Sequence, residues 1–102
     1  MSLTKQYLKS KPVCKVTFRL PPEAAKEASN VHIVGEFNEW NLYAIPLKKL
    51  KDGTFKVTLE LETNHEYQFR YLIDADTWEN DWDADKYVPN PFGTSENSVV
   101  VV

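Results

Sequence analysis

The chain has 102 residues, 42% hydrophobic and 13% aromatic, with a formal net charge of −3. That length supports one compact domain with one core. Asp plus Glu (15) exceeds Lys plus Arg (12), which argues against nucleic acid or an acidic membrane as partner, since both are bound through basic side chains. Cys14 is the sole cysteine, which excludes an intrachain disulfide and a multi-cysteine metal site. No window nears the roughly 18 consecutive apolar residues of a membrane span, and the polar start lacks an apolar run of signal-peptide length. The expectation is a soluble cytoplasmic protein.

Residues 1–12 carry Lys5, Lys9 and Lys11, end at Pro12, and read as a flexible leader, as chain termini commonly are. The domain then runs from 13 to 102. Residues 13–20 alternate, with Cys14, Val16, Phe18 and Leu20 on one face and Lys15, Thr17 and Arg19 on the other, the pattern of a half-buried antiparallel strand. Pro21-Pro22 ends it. Residues 23–28 read as one or two turns of connecting helix, too short to form a layer.

Residues 31–37 form a β-branched strand with Val31, Ile33 and Phe37 in register. Gly35 interrupts it, as glycine does where a strand bends or another backbone comes close. The chain then breaks into the turn composition Asn38-Glu39-Trp40-Asn41. Residues 44–50 contain Pro46 and read as a short edge strand. Asp52-Gly53 marks a hairpin, with positive φ needed at the turn. In 54–61, Phe55, Val57, Leu59 and Leu61 point inward. In 66–73, Tyr67, Phe69, Tyr71 and Ile73 share one face, and Gln68, Arg70 and Leu72 the other.

Residues 74–85 are acidic and carry Trp78 and Trp82. Pro89 and Pro91 fix a loop over 87–94. The run Val99-Val100-Val101-Val102 requires burial on both faces or a central place in a sheet. Short strands divided by turn signals, without a sizeable helix, give an all-β fold, a β-sandwich.

Catalytic signals are weak. His32 on an outward register and His65 at a strand start neighbour no nucleophile motif, and no glycine pattern suits a phosphate loop. Asp81-Trp82-Asp83-Ala84-Asp85 copies the alternating acids of a calcium loop. Lys86 stands where that loop needs glycine, however, and Phe92 where it needs glutamate. A glycosidase needs two opposed carboxylates, and these acids lie in one local stretch. Neither an enzyme nor a cofactor or metal is therefore expected.

Trp40, Trp78 and Trp82 lie in polar segments, off the alternating registers of a core. They are either corner plugs or flat surfaces held out for a ligand. A pyranose ring carries apolar C–H groups on its faces and hydroxyls at its rim. Its binding surface therefore wants an aromatic plane beneath and hydrogen-bonding groups around the edge. Asn38, Glu39, Arg70, Asp74, Thr94 and Asn97 are such rim groups.

The hexapeptide Gly35-Glu36-Phe37-Asn38-Glu39-Trp40 resembles the G-x-F-N-x-W signature of the family 48 carbohydrate-binding modules, which include isoamylase N-terminal and kinase-type glycogen-binding domains. Pro46-Leu47, Asp52-Gly53-Thr54-Phe55, residues 67–74, Trp78, Asn80-Asp81, residues 87–90, Phe92-Gly93-Thr94 and residues 97–100 follow in family order, covering about Val13 to Val102. The resemblance implies an immunoglobulin-like antiparallel β-sandwich that binds α-1,4-glucan (glycogen, starch, maltooligosaccharide) without catalysis. In it Trp40 and Trp78 stack on glucose, Arg70 occupies a basic position that is normally lysine, Phe92 lines the groove, and Thr94 and Asn97 contact hydroxyls. Ala75-Asp76 makes the turn before Trp78 one residue longer than the family's, and Ser95-Glu96 likewise lengthens the stretch before Asn97. The rival expectation is a protein-interaction module docking a glucan-metabolising enzyme or kinase.

Overall fold

The computed structural model describes residues 3–90 and 96–102. The strands are β1 (Leu3–Tyr7), β2 (Val13–Leu20), β3 (Val31–Gly35), β4 (Lys48–Lys49), β5 (Phe55–Glu62), β6 (Glu66–Ile73), β7 (Thr77–Glu79), β8 (Lys86–Pro89) and β9 (Glu96–Val101). One antiparallel sheet runs β1-β2-β5-β4. The other runs β3-β6-β9-β8, with β7 also on β6. This is the expected antiparallel sandwich.

The alternation read from the sequence sets the core. Cys14, Val16, Phe18, Leu20, Phe55 and Leu61 of the first sheet meet Val31, Ile33, Phe69, Tyr71, Ile73 and Val100 of the second. Burial pushes the Cys14 thiol pKa up, so it is a packing group. β9 lies between β6 and β8, and Val99 and Val100 are buried on opposite faces of their sheet, as the valine run required.

Four expectations change, the first being the loop read over 87–94: Lys86–Pro89 is strand β8, paired with β9 from Lys86–Val99 to Pro89–Glu96. Residues 3–7 of the supposed leader are strand β1, paired with β2 from Leu3–Phe18 to Tyr7–Cys14. Leu3 is buried, and Lys5 reaches across to Asp85 at 2.7 Å. Burying Leu3 and joining the exposed edge of β2 outweighs the fraying usual at a terminus. The connector over 23–28 is a single 3-10 turn, Pro22–Ala24, followed by an Ala28 N–H to Ala25 carbonyl bond. It has too few residues to propagate an α-helix, and Glu27 takes a positive φ.

The edge strand over 44–50 changes sheets. The Ile33 N–H donates to the Ile45 carbonyl and the Leu47 N–H to the Val31 carbonyl, beside β3. Two residues later, Lys48 and Lys49 pair with β5 of the other sheet. The hairpin after it forms as read: Gly53 sits at φ +92°, and Asp52 Oδ1 accepts the Thr54 N–H.

Candidate functional site

The hexapeptide ending at Trp40 is a device for stopping a strand and turning the chain out. A Cβ on Gly35 would stand 2.5 Å from the Gln68 carbonyl oxygen and 2.8 Å from Phe69 Cβ, so close backbone approach demands the glycine. Phe37 folds inward onto Phe18, Tyr67 and Phe69 at centroid separations of 5.9, 6.1 and 6.3 Å. Asn38 turns back on the strand: its Oδ1 accepts the Gly35 N–H, and its Nδ2 donates to the Ile33 carbonyl. The Glu36 carboxylate accepts the Gln68 N–H at 2.7 Å. Glu39 and Trp40 then take φ of +57° and +58°, left-handed conformations that are costly for side chains of this size. The Trp40 N–H returns to the Gly35 carbonyl, which holds the indole beside the end of β3 at 38% exposure.

The other candidate residues are arranged by register on the outer face of the second sheet. β6 turns Tyr67, Phe69, Tyr71 and Ile73 into the core and therefore Gln68, Arg70 and Leu72 outward. Val34 lies opposite Arg70, and His32 opposite Leu72. On the far side Trp78 lies opposite Leu72. His32, Leu72 and Trp78 thus form one row across three strands, with Val34 and Arg70 in the next. β9 pairs with β6 only as far as Phe69–Ser98 and β7 begins at Tyr71–Glu79, so Arg70 sits where the edge of β6 changes partner.

This face is not simply polar. Val34, Leu72 and Val99 are buried yet lie outside the cluster between the sheets, forming a thin apolar floor. Two nitrogens at that level, His32 Nδ1 and Arg70 Nε, are buried with no hydrogen-bond partner among the described residues.

The lengthened turn keeps Trp78 on this face. Asp74 and Ala75 both adopt positive φ, and the Asp76 N–H bonds the Ile73 carbonyl, closing a tight turn of I′ type. The extra residue is absorbed there, and Trp78 emerges opposite Leu72 at 44% exposure. Asp74 is occupied: its Oδ1 accepts the N–H groups of Ser29 and Asn30.

Beyond β7 a buried polar corner fastens the strand. Asn80 donates to the Glu96 carbonyl and accepts from the Ser98 N–H and hydroxyl. The Asp81 N–H donates to Ser98 Oγ, and the Asp81 carboxylate accepts the Tyr71 hydroxyl at 2.7 Å and the Asp83 N–H at 2.8 Å. Burial, with Asp81 adjacent, pushes the Tyr71 hydroxyl pKa well above its ordinary value.

Of the sequence-derived candidates, Arg70, Trp78 and Asn97 therefore share one sheet face, and Trp40 stands at its β3 border. Asn97 is only 4% exposed. Its Nδ2 donates to Gln68 Oε1 and its Oδ1 accepts from Asn90, so its polar ends hold neighbouring side chains. Asn38 and Asp74, read as rim groups, bond backbone instead. Phe92 and Thr94 lie outside the described residues. Trp82 follows the Asp81 corner and is exposed, as is Glu39. Among the described residues no group of three His, Cys, Asp or Glu side chains is placed to hold a metal ion.

One aromatic at the site escaped the sequence reading. Tyr43 meets His32 edge-on, at 5.5 Å and 88°. Its only local signal was an apolar pair, Leu42-Tyr43, inside a polar loop.

A two-sheet antiparallel sandwich with exposed tryptophans beside a shallow apolar floor has the form of a binding module. Residues 13–93 match the family model for carbohydrate-binding module 48, the isoamylase N-terminal domain. That match spans most of the chain, and the chain belongs to this family of carbohydrate-binding modules. No curated protein matches it.

Proposed function

We propose that this chain binds α-1,4-linked glucan, such as glycogen, starch or maltooligosaccharide, and performs no reaction on it. Trp40 and Trp78 stack on the apolar faces of glucose rings, and the terminal guanidinium nitrogens of Arg70 donate to hydroxyls between them. Asn97 holds Gln68 in place beside Arg70, and Phe92 and Thr94, which lie outside the described residues, enter this reading only through the family resemblance. The observation carrying this reading is the register that sets Arg70 and Trp78 on one face with Trp40 at its border. Family membership supports carbohydrate as the ligand class.

Titration calorimetry with maltoheptaose tests the proposal. Measurable heat with a change in tryptophan fluorescence is expected, together with retention on amylose resin. Absence of all three overturns it.

A second reading, docking of a glucan-metabolising enzyme, is favoured by one feature of the opposite sheet. Arg19, Lys56 and Lys48 lie directly across from one another on β2, β5 and β4. None of the three has a carboxylate within ion-pair distance among the described residues. Like charges placed opposite one another cost stability, and an acidic partner surface would offset that cost. Co-purification of such an enzyme with a chain that amylose resin does not retain would favour docking over glucan binding.

A further inference from the structure

We infer that Tyr43 is a third ring-stacking residue of this site and sets its preference for longer glucan chains, an inference that rests on the glucan reading above. The loop after Trp40 does not leave the site. It runs back along β3 as a rail, with Trp40 tied to the Gly35 carbonyl at one end and Ile45 and Leu47 bonded to Ile33 and Val31 at the other. Pro46 is the rail residue bridged to His32, and Tyr43 precedes it in the turn between that bridge and the Trp40 anchor, with its ring against the His32 ring.

His32, Leu72 and Trp78 form a single cross-strand row. Tyr43 meets the His32 end of that row edge-on, while Trp78 stands at the other end. The three aromatics flank the face that carries Leu72 and Arg70. Two come from the loop after β3 and one from β7.

An exposed tyrosine in a loop is by itself ordinary. This one is held. Asn41 Oδ1 accepts the Tyr43 N–H, fixing the backbone in a local turn, and the His32 edge contact braces one side of the ring. The ring is nonetheless 60% exposed, and the hydroxyl has no hydrogen-bond partner among the described residues. A braced ring with a free face and a free hydroxyl meets both demands of a pyranose, a plane beneath and a polar group at the rim. The occupant that suits rings on both borders of this face is a curved α-1,4-linked chain. Its successive rings cannot lie on one straight line, and only a chain longer than the span of two rings engages a third at Tyr43.

The experiment is calorimetry of the full chain with maltotriose and with maltoheptaose, for the wild type, Tyr43→Ala and Tyr43→Phe, with thermal unfolding run in parallel. Tyr43→Ala should weaken maltoheptaose on the order of five- to tenfold while changing maltotriose little. Tyr43→Phe should recover most of the loss, and the unfolding temperature should stay put. A Tyr43→Ala variant that binds maltoheptaose like the wild type, or weakens both sugars equally, overturns the role of Tyr43 and leaves the glucan reading standing. A wild type that binds neither sugar overturns the glucan reading and this inference together.

Discussion

Trp78 of β7 lies directly across from Leu72 of β6, and Leu72 is only 2% exposed. The tryptophan rises beside a buried leucine on the outer side of the sheet and contributes nothing to the core between the sheets. Removing the indole therefore separates binding from folding. Trp78→Ala should weaken maltoheptaose at least about tenfold, which corresponds to ~1.4 kcal/mol. Its stability loss should stay below about 1 kcal/mol, as expected of an exposed position. Trp40→Ala should behave alike, and the same pair of measurements, calorimetry and urea unfolding, reads it. Unfolding of either variant would make its tryptophan a plug of the fold.

Arg70 occupies the position where β6 exchanges β9 for β7, and its Nε is buried without a partner among the described residues. A buried donor left unpaired costs roughly 1–3 kcal/mol. Lysine keeps the charge and the reach and has no nitrogen at that depth, so Arg70→Lys should leave stability unchanged or raise it by up to about 1 kcal/mol. It should also retain glucan binding, since either side chain donates to sugar hydroxyls. Arg70→Ala should lose binding without that stabilisation being the cause. Urea midpoints and calorimetry on the two variants separate these effects.

Gly35 adopts an extended backbone that any residue accepts, so its requirement is space alone. A methyl group there would press on the Gln68 carbonyl at 2.5 Å, and neither that backbone nor Phe69 can retreat without opening the β3–β6 ladder. Gly35→Ala should lower stability by about 1–3 kcal/mol through overpacking. The urea midpoint should fall with an unchanged m-value. Because the ladder also carries Val34 against Arg70, sugar affinity should fall with it.

These contacts mark what a single sequence reveals. The two sheets were legible because β2, β5 and β6 alternate strictly, and alternation alone assigns a face to each side chain. The same alternation put Arg70 and Leu72 on the outer side. Three things depended on pairing partners far along the chain. β1 reads as a polar end until the open edge of β2 takes it up. Residues 44–50 read as one strand because no local signal marks a change of sheet at Leu47. Asp74 reads as a ligand contact because a free carboxylate and one spent on a distant backbone have the same letters. Trp78 was the hardest position: its face depended on whether the turn at Asp74 and Ala75 absorbed the extra residue, which two positive φ values achieve.

The Tyr71–Asp81 bond yields a pH prediction independent of any ligand. The Tyr71 hydroxyl is fully buried, and burial together with the Asp81 carboxylate raises its pKa in the folded state. Unfolded tyrosine ionises near pH ~10. Above that pH the unfolded chain releases the Tyr71 proton while the folded chain keeps it, so the unfolded state binds fewer protons and stability falls as pH rises. The stabilisation is complete below pH ~10 and is lost progressively above it, up to the raised folded pKa. Tyr71→Phe removes both the titration and the hydrogen bond. The variant should be about 1–3 kcal/mol less stable at pH 7, because a buried carboxylate loses a donor. It should also lose less stability than the wild type between pH 9 and about 11. Urea midpoints of both proteins across that range decide the matter, and parallel pH profiles would show that Tyr71 does not carry the alkaline loss.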